Sequence, residues 1–455
     1  MVHIKVKRGL DIPIEGAPYG IANTLPAPKY IAFNFNFSAF EEVKFRLLVG
    51  VGDFVTIGQP LAEDKEVAGR MFVSPAAGRV SEIRRGAKRR LLAMIIEVAP
   101  HEEYIEQKAC DLDQIAPGDL IDLLLRNGLF VHIRVRPFYR LPNPKLAPRA
   151  IFIKAIETAP FVPQAEMQVQ GREEEFAMGL KALRKLTQGP IHLVYRANTS
   201  CRAFLDAREC EKHTVEGPHP AGNSSVHIQA IDSIKRPDDV IWTLNTLGVL
   251  HIGSFLLHGK LALDRIVAIA GSSVLPEKRQ YVRARFGHPV KELLEGRLGP
   301  GPVRCISGDV LTGDIVGMDD FIGFSHTALT VIPDTAERPL LPFCGLGENR
   351  YTASHTYLSG FLGWLKRRFP FTTAQHGERR AFMDARIYEK VIPLRILPLH
   401  LIRACMAGDY ELAVKYGLLE VAPEDFALAE FVDPSKIEIM DIIRNSLRNY
   451  SHDVV

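Results

Sequence analysis

The stretch EDKEVAGRMFVSPAAGRV, residues 63–80, follows closely on VGDFVTIGQPL, residues 51–61, and the two together decide how the N-terminal part of the chain is read. Apolar residues in both stretches come in short runs broken by Gly52, Gly58, Gly69 and Gly78. Short strands with glycine and proline punctuation at this spacing predict a small all-β domain. The glycines stand where tight corners require positive φ or close backbone approach. The same texture runs from residue 26 to about residue 101 through FNFNF, VKFRLLVG and RLLAMIIEV.

A hairpin of this kind raises a chemical question, because biotinyl and lipoyl carrier domains present their modified lysine on one. Asp64-Lys65 matches the Asp-Lys pair of lipoyl domains. A swinging-arm lysine stands at the tip of an exposed hairpin, whereas the turn signal here, Ala68-Gly69, comes three residues after Lys65. The stretch between Gly52 and Lys65 is also several residues shorter than such a domain uses. The residues therefore predict a scaffold hairpin, with a modified Lys65 as the competing reading.

A chain of 455 residues is too long for one ordinary core and predicts three or four domains. An apolar fraction of 47%, a charged fraction of 24% and a formal charge of +3 describe a soluble globular protein with no global drive toward nucleic acid. The six cysteines, Cys110, Cys201, Cys210, Cys305, Cys344 and Cys405, are scattered without a CxxC pair, which predicts a reduced, cytosolic chain. The opening MVHIKVKRGLDIPIEGAP lacks the apolar run of a secretory signal and reads as a first strand. Residues 240–263 are long enough to span a bilayer, but Asn245, His251, His258 and Lys260 interrupt them, so a soluble strand and helix are expected.

Beyond the β-rich part, DLIDLLLRNGLF predicts a helix with Asp119 as N-cap and Gly128 at its end. Residues 132–149 hold four prolines with Arg134, Arg136, Arg140, Lys145 and Arg149, which predicts an extended, exposed crossing or a positive strip facing an acidic partner. AIFIKAIE, GREEEFAMGLKALRKLT and GPIHLVYR form a βαβ unit, extended by the strand and helix up to residue 263. A compact α+β module of about 60 residues follows from Arg265. Strands and loops then lead to the basic-aromatic stretch GFLGWLKRRFPF, and the last 65 residues are helical.

The chemistry-bearing motifs are sparse. GVGDFV at Gly50 and GLGENR at Gly345 lack the third glycine of a dinucleotide fingerprint, and GVLHIGS puts Ser254 where a phosphate-binding loop needs lysine. His213, His219 and His227 share one Gly/Pro-rich loop and are a candidate divalent-metal set, although hydrogen-bonded structural histidines are the plainer reading. His355, His376, Glu378, Arg379, Arg380, Asp384 and Arg386 offer an acid, a base and an anion clamp, or equally a salt-bridged surface. Trp364, Lys366, Arg367, Arg368 and Phe369 suit a headgroup zone or a protein partner, or a solvated face.

Taken together, KVKRGLDIPIEGAP, the hairpin EDKEVAGRMFVSPAAGRVSEIRRGAKRRLL, EGPHPAGNSSVHI, HTYLSGF, QHGERRAFMDA and GLLEVAPEDFALAEFVDPSK resemble the A-subunit of the bacterial sodium-translocating NADH:quinone oxidoreductase. The resemblance spans residues 5–436. It implies a multidomain α/β and α+β chain. The expected order is a barrel-sandwich (biotinyl/lipoyl-like) domain over 1–101, a Rossmann-like α/β domain over 102–263 related to the flavin subunit of complex I, a β-grasp-like (SLBB-type) domain over 264–330, a strand and loop segment over 331–390, and a helical domain over 391–455 that lacks cluster cysteines. Flavin- and cluster-bearing relatives keep a glycine-rich loop after the helix matching DLIDLLLRNGLF and cysteines after the GLL turn; here RNGLFVHIRVRPF keeps one glycine and GLLEVAPEDFALAEFVDPSK has no cysteine.

The implied role is that of a peripheral subunit without catalytic, cofactor or metal residues of its own. FMN, FAD, riboflavin and iron–sulfur centres are expected on other members of the complex, and ubiquinone as its ligand or substrate. The implied assembly is a hetero-hexamer with members lettered A to F, in which this chain directly contacts the B-subunit on the cytoplasmic side of the inner membrane. Gln229 stands where the family often has another histidine, which weakens a metal role for His227. Arg134, Arg136, Arg140, Trp364, Lys366, Arg367 and Arg368 are the expected contacts with the B-subunit or anionic headgroups. A stand-alone flavin-dependent oxidoreductase is the competing enzyme reading.

Overall fold

In the computed structural model, which describes residues 1–105, 107–335, 346–348, 350–354, 356–361, 367–375, 377–381 and 386–454, the opening stretch folds as three strands, Pro60–Asp64, Met71–Val73 and Gly78–Arg85. The first two pair antiparallel with each other, and Phe45–Leu47 joins them on the far edge of Pro60–Asp64. The third enters a second sheet in the order Tyr30–Asn34, Leu91–Val98, Gly78–Arg85, Phe54–Val55. Gly78 shows why the corner needs glycine: φ is 155° and a Cβ there would lie 1.9 Å from the Glu97 carbonyl oxygen. Between the sheets sit Phe33, Phe35, Phe40 and Phe72, with Phe45 at 4.8 Å ring-centroid distance from both Phe35 and Phe72. Edge-on packing of this kind adds to the apolar burial that holds a small sandwich together. This is the barrel-sandwich domain.

The α/β domain is built on a six-stranded sheet in the order His3–Lys5, Glu211–Glu216, Ile191–Arg196, Ala150–Ala155, Ile241–Asn245, Arg134–Arg136. All neighbours are parallel except the last pair. Near-continuous apolar strands such as AIFIKA are buried on both faces, as parallel sheets require. The apolar window resolves into the strand Ile241–Asn245 and the helix Thr246–His258, with Asn245 Oδ1 accepting from the Gly248 amide at 2.8 Å as N-cap. Its partner is the helix Glu173–Lys185, and the two approach so closely that a Cβ on Gly253 would lie 1.7 Å from the Glu175 carbonyl oxygen. Among the described residues no helix is long and apolar enough to cross a membrane. The helix Pro117–Arg126 begins with proline at its first position, so Asp119 sits in the first turn and Ala116 is the N-cap.

The fourth sheet, of the SLBB domain, runs Asp314–Val316, Val303–Ser307, Ala328–Pro333, Asp264–Ala270, Gln280–Arg285, Tyr19–Thr24. At the C-terminus the helices Pro398–Ala407, Tyr410–Lys415, Ala427–Val432 and Ile439–Val454 share a core with Ile12, Ile14, Val194 and Val215. The strands at His3–Lys5 and Tyr19–Thr24, placed by the sequence reading inside the N-terminal β-rich unit, extend the α/β and SLBB sheets instead. Strand propensity is local, and it carries no information about which sheet edge a strand will join.

Candidate ligand cavity

The α/β sheet reverses its strand order between Ala150–Ala155 and Ile241–Asn245, since the crossovers that follow the first run to one side and the chain returns to the second on the other. Lys154 and Asn245 are register partners at the carboxyl ends of these two strands. Open α/β sheets bind ligands at such a switch point. Here it opens into a cavity of about 1030 Å³, walled by the hairpin at residues 63–70, the segment 134–141, the N-terminus of the helix Ser224–Ile231, the SLBB loops and Glu424.

Segment 134–141 does not form an exposed crossing. Arg134–Arg136 is an antiparallel edge strand on Ile241–Asn245, and Arg134 and Arg136 are 8% and 0% exposed. Arg134 donates to the carbonyl oxygens of Val131 at 2.6 Å and Ile133 at 2.9 Å, and its guanidinium lies 5.0 Å from the centroid of the Phe37 ring. Burial lowers its pKa to about 10. Arg136 donates through Nη1 to Ser225 Oγ at 2.8 Å. Both arginines are buried in this chain, which corrects their expected role as contacts with headgroups or a partner: Phe37 of the barrel-sandwich domain lies over Arg134, and Ser225 meets Arg136. Arg140 is half-buried, 5.3 Å from the centroid of the Phe138 ring. Arg367 and Arg368 are exposed, with Arg368 Nη1 donating to the Ile14 carbonyl oxygen at 3.2 Å. Trp364 and Lys366 lie outside the described residues.

The cavity wall carries paired ionisable groups. Lys154 Nζ contacts Glu157 Oε2 at 2.9 Å, and the Tyr139 hydroxyl donates to Glu424 Oε2 at 3.3 Å. Burial pushes the Glu157 and Glu424 carboxyls up from their ordinary range, and it works against the Lys154 ammonium, which the charges of Glu157, Glu424 and Asp309 nevertheless hold above its usual value. Asp425 accepts from Asn223 Nδ2 at 2.9 Å and the Ala422 amide at 2.7 Å. On the opposite wall Arg70 pairs with Asp64 at 2.9 Å, both nearly buried, and Arg70 also donates to the Pro142 carbonyl oxygen. This pair ties the hairpin to the chain just past segment 134–141. Lys65 is exposed just past the strand end, its amide bonded to the Lys44 carbonyl oxygen at 2.9 Å, so it stands at the foot of the loop and not at its tip.

The three loop histidines do not converge. His219 Nδ1 lies 3.0 Å from Thr158 Oγ1, and His227 Nε2 donates to the Ala221 carbonyl oxygen at 2.8 Å. His213 instead meets His192 on the neighbouring strand, with Nε2 3.0 Å from His192 Nδ1; Glu211 Oε2 lies 3.5 Å and 3.8 Å from the two rings. This is the one three-donor grouping of its kind among the described residues. Tetrahedral zinc with bonds of about 2.0–2.1 Å needs donors about 3.3 Å apart, so spacing alone would serve. The surrounding hydrogen bonds decide otherwise. The Val2 amide donates to His213 Nδ1 at 3.1 Å, which leaves the ring proton on Nε2, the atom that would have to ligate. The rings form a histidine–histidine hydrogen bond, and sequence reading missed it because His192 is 21 residues away on another strand.

His355, His376 and Asp384 lie outside the described residues, while Glu378, Arg379, Arg380 and Arg386 are exposed. Of the cysteines, Cys305 and Cys405 are buried and Cys110, Cys201 and Cys210 are half-buried. Burial raises every one of these thiols, Cys210 to about 11, which keeps them protonated and away from thiolate chemistry at neutral pH. Cys344 lies outside the described residues.

Comparison with known proteins bears on what the cavity belongs to. Residues 4–99 match the NqrA N-terminal barrel-sandwich hybrid domain, residues 117–261 the NqrA second alpha/beta domain, and residues 266–317 the NQRA C-terminal domain of SLBB type. The chain is 35% identical over 449 residues to the A-subunit of the Na(+)-translocating NADH-quinone reductase of Saccharophagus degradans, covering 98% of both chains. It is 34% identical over 467 residues to the corresponding A-subunit of Chlamydia caviae, covering 99% of this chain and 97% of that one. Among solved structures, an NAD+-reducing [NiFe]-hydrogenase in its H2-reduced state aligns with a TM-score of 0.39 at 12% identity over 74% of this chain and 64% of that one. The three domain matches and the full-length identity agree: this chain belongs to the NqrA family, the A-subunits of the Na(+)-translocating NADH-quinone reductases.

Proposed function

We propose that this chain is a peripheral subunit, without a redox centre of its own, of an NADH:quinone reductase that exports sodium. In this reading it docks on the membrane-embedded B-subunit from the cytoplasmic side of the inner membrane, in a six-membered assembly, A to F, whose other members carry the flavins and the iron–sulfur centres. Ubiquinone is the electron acceptor of the whole.

One observation carries the reading: the backbone after the helix Pro117–Arg126 has its amides committed where a flavin phosphate would need them. The His132 and Ile133 amides bond to the carbonyl oxygens of Leu129 and Phe130 at 3.2 Å each, and the Val135 amide bonds to that of Arg140 at 2.8 Å. Gly128 is packed too, since a Cβ there would lie 2.7 Å from Val73 Cγ2. A phosphate cradle needs several amides pointing into free space. The protonated, scattered thiols support the same reading for iron–sulfur ligation.

The purified chain should be colourless, without stoichiometric flavin or iron; bound flavin would overturn the proposal. The B-subunit should co-purify with it from detergent-solubilised membranes. With Arg134 and Arg136 buried, Arg140, Arg367 and Arg368 are the contacts left among the described residues, and the triple Glu substitution should lower that recovery. Unchanged recovery removes these three from the interface.

A further inference from the structure

We propose that the tip of the hairpin between the strands Gly78–Arg85 and Leu91–Val98 docks the chain on an anionic lipid bilayer, with Arg85, Lys88, Arg89 and Arg90 meeting the phosphate groups of the lipids. The proposal rests on the peripheral-subunit reading for the presence of a membrane, and its test is made on the chain alone.

The tip reads RRGAKRR, residues 84–90, and no acid occurs from residue 83 to residue 96. Its base is balanced. Arg84 contacts Glu82 Oε1 at 3.1 Å and Asp320 Oδ1 at 3.2 Å, and its guanidinium lies 5.6 Å from the centroid of the Phe321 ring, which fastens the ribbon to the SLBB domain. Beyond Arg84 the balance ends. Arg85, Lys88, Arg89 and Arg90 are all exposed, and none pairs with a carboxylate among the described residues. Arg85 Nη1 donates to the Arg89 carbonyl oxygen at 3.3 Å, a contact that brings no negative charge.

The backbone of the turn is an independent observation. The Arg90 amide bonds to the Ala87 carbonyl oxygen at 3.1 Å and the Gly86 amide to that of Arg90 at 2.8 Å, closing a two-residue loop on Lys88 and Arg89. Both have positive φ, 52° and 61°. Such hairpin turns favour Asn-Gly, since a longer side chain is strained on left-handed backbone. Two cations held against that preference point to a use for their charge. The tip offers a folded partner little to grip: Gly86 and Ala87 are its only uncharged residues, and it lacks the aromatic or aliphatic anchor on which protein interfaces are built. A headgroup layer needs no anchor. Each lysine or arginine at an anionic surface strengthens partitioning by about fivefold, so four together act by roughly several hundredfold.

The test sediments the full chain with vesicles of phosphatidylcholine, alone or with about 30% phosphatidylglycerol. The chain should bind only the anionic vesicles, and binding should fall as salt rises from about 50 mM to about 300 mM. Lys88→Asn with Arg89→Gly should weaken binding by about twenty-fivefold. That variant carries the residues the turn favours and should melt at or above the wild-type temperature, so its loss is not one of folding. Arg85→Gln with Arg90→Gln leaves the turn as it is and should cause a loss of the same size. Removing two exposed cations elsewhere, with Lys7→Gln and Arg8→Gln, should change binding by less than about twofold. Equal binding to both vesicles, no effect of either tip variant, or an equal loss in the Lys7/Arg8 variant overturns the proposal. If the chain ignores anionic vesicles while the tip variants lower recovery of the B-subunit, the tip is a protein contact and the lipid assignment is overturned. Vesicle binding without B-subunit recovery would instead strike the docking reading alone.

Discussion

The hairpin at residues 63–70 and the segment at 134–141 face the same cavity, and each buries an arginine, but only the hairpin supplies a counter-ion within its own turn. Arg70 meets Asp64 at 2.9 Å and reaches on to the Pro142 carbonyl oxygen, so its charge is balanced before any ligand arrives. Arg136 has a hydroxyl on one nitrogen, and among the described residues the other two have no hydrogen-bond partner. The contrast separates two settings of a buried cation: one is ion-paired and ties the hairpin to the neighbouring domain, the other is partnered by a hydroxyl.

The contrast breaks first at Asp64. Asp64→Ala leaves Arg70 buried and uncompensated, and should cost about 3–5 kcal/mol in urea unfolding. Adding Arg70→Met should restore most of that. A loss below about 1 kcal/mol would mean the pair fastens nothing.

Proton binding tests burial on the helix that carries Ser225, the hydrogen-bond partner of Arg136. His227 is buried and donates to the Ala221 carbonyl oxygen, and burial lowers its pKa to about 4 from the ordinary 6.5. The unfolded chain therefore takes up the proton first as pH falls. The stability contributed by neutral His227 is complete above about pH 6.5 and drains away down to pH 4, on the order of 3 kcal/mol in all. Unfolding curves for His227→Gln should show a shallower pH slope in that window. An identical slope would mean that His227 is protonated in the folded state.

Arg136→Met should have the opposite sign from Asp64→Ala. Removing a lone buried cation is expected to leave stability unchanged or raise it by about 1–2 kcal/mol. A large loss would show that the charge is already satisfied without a ligand. The smallest effect belongs to Lys65, whose side chain is exposed: Lys65→Arg should shift stability by less than about 0.5 kcal/mol, and the intact wild-type mass should equal that of the bare sequence. An added lipoyl or biotinyl mass would make the hairpin a carrier after all.

How much of this is legible in the chain differs between fold and cavity. Glycine-broken strands announce the barrel-sandwich domain, apolar strands alternating with amphipathic helices announce the α/β layer, and RNGLFVHIRVRPF with its single Gly128 departs from the glycine-rich flavin loop of the relatives named by the resemblance. These are local signals read by local rules. The arginines misled because a run such as HIRVRPFYR records composition and not cover. Its alternation does place Arg134 and Arg136 on one side of a strand, but only the tertiary structure brings Phe37 and Ser225 against that side. His192 and His213 are invisible together for the same reason: their register exists only once parallel strands pair.

The first strands have a consequence for how the chain is made. His3–Lys5 finds its parallel partner only at Thr214–Glu216, and Tyr19–Thr24 only at Gln280–Arg283. At about 5–20 residues per second, the ribosome releases the first of those partners roughly ten to forty seconds after residue 3 has emerged. For that interval the leading strand is an unpaired edge awaiting sequence that does not yet exist. The oldest part of the polypeptide must therefore wait for an edge made some 200 or more residues later before it can join either sheet.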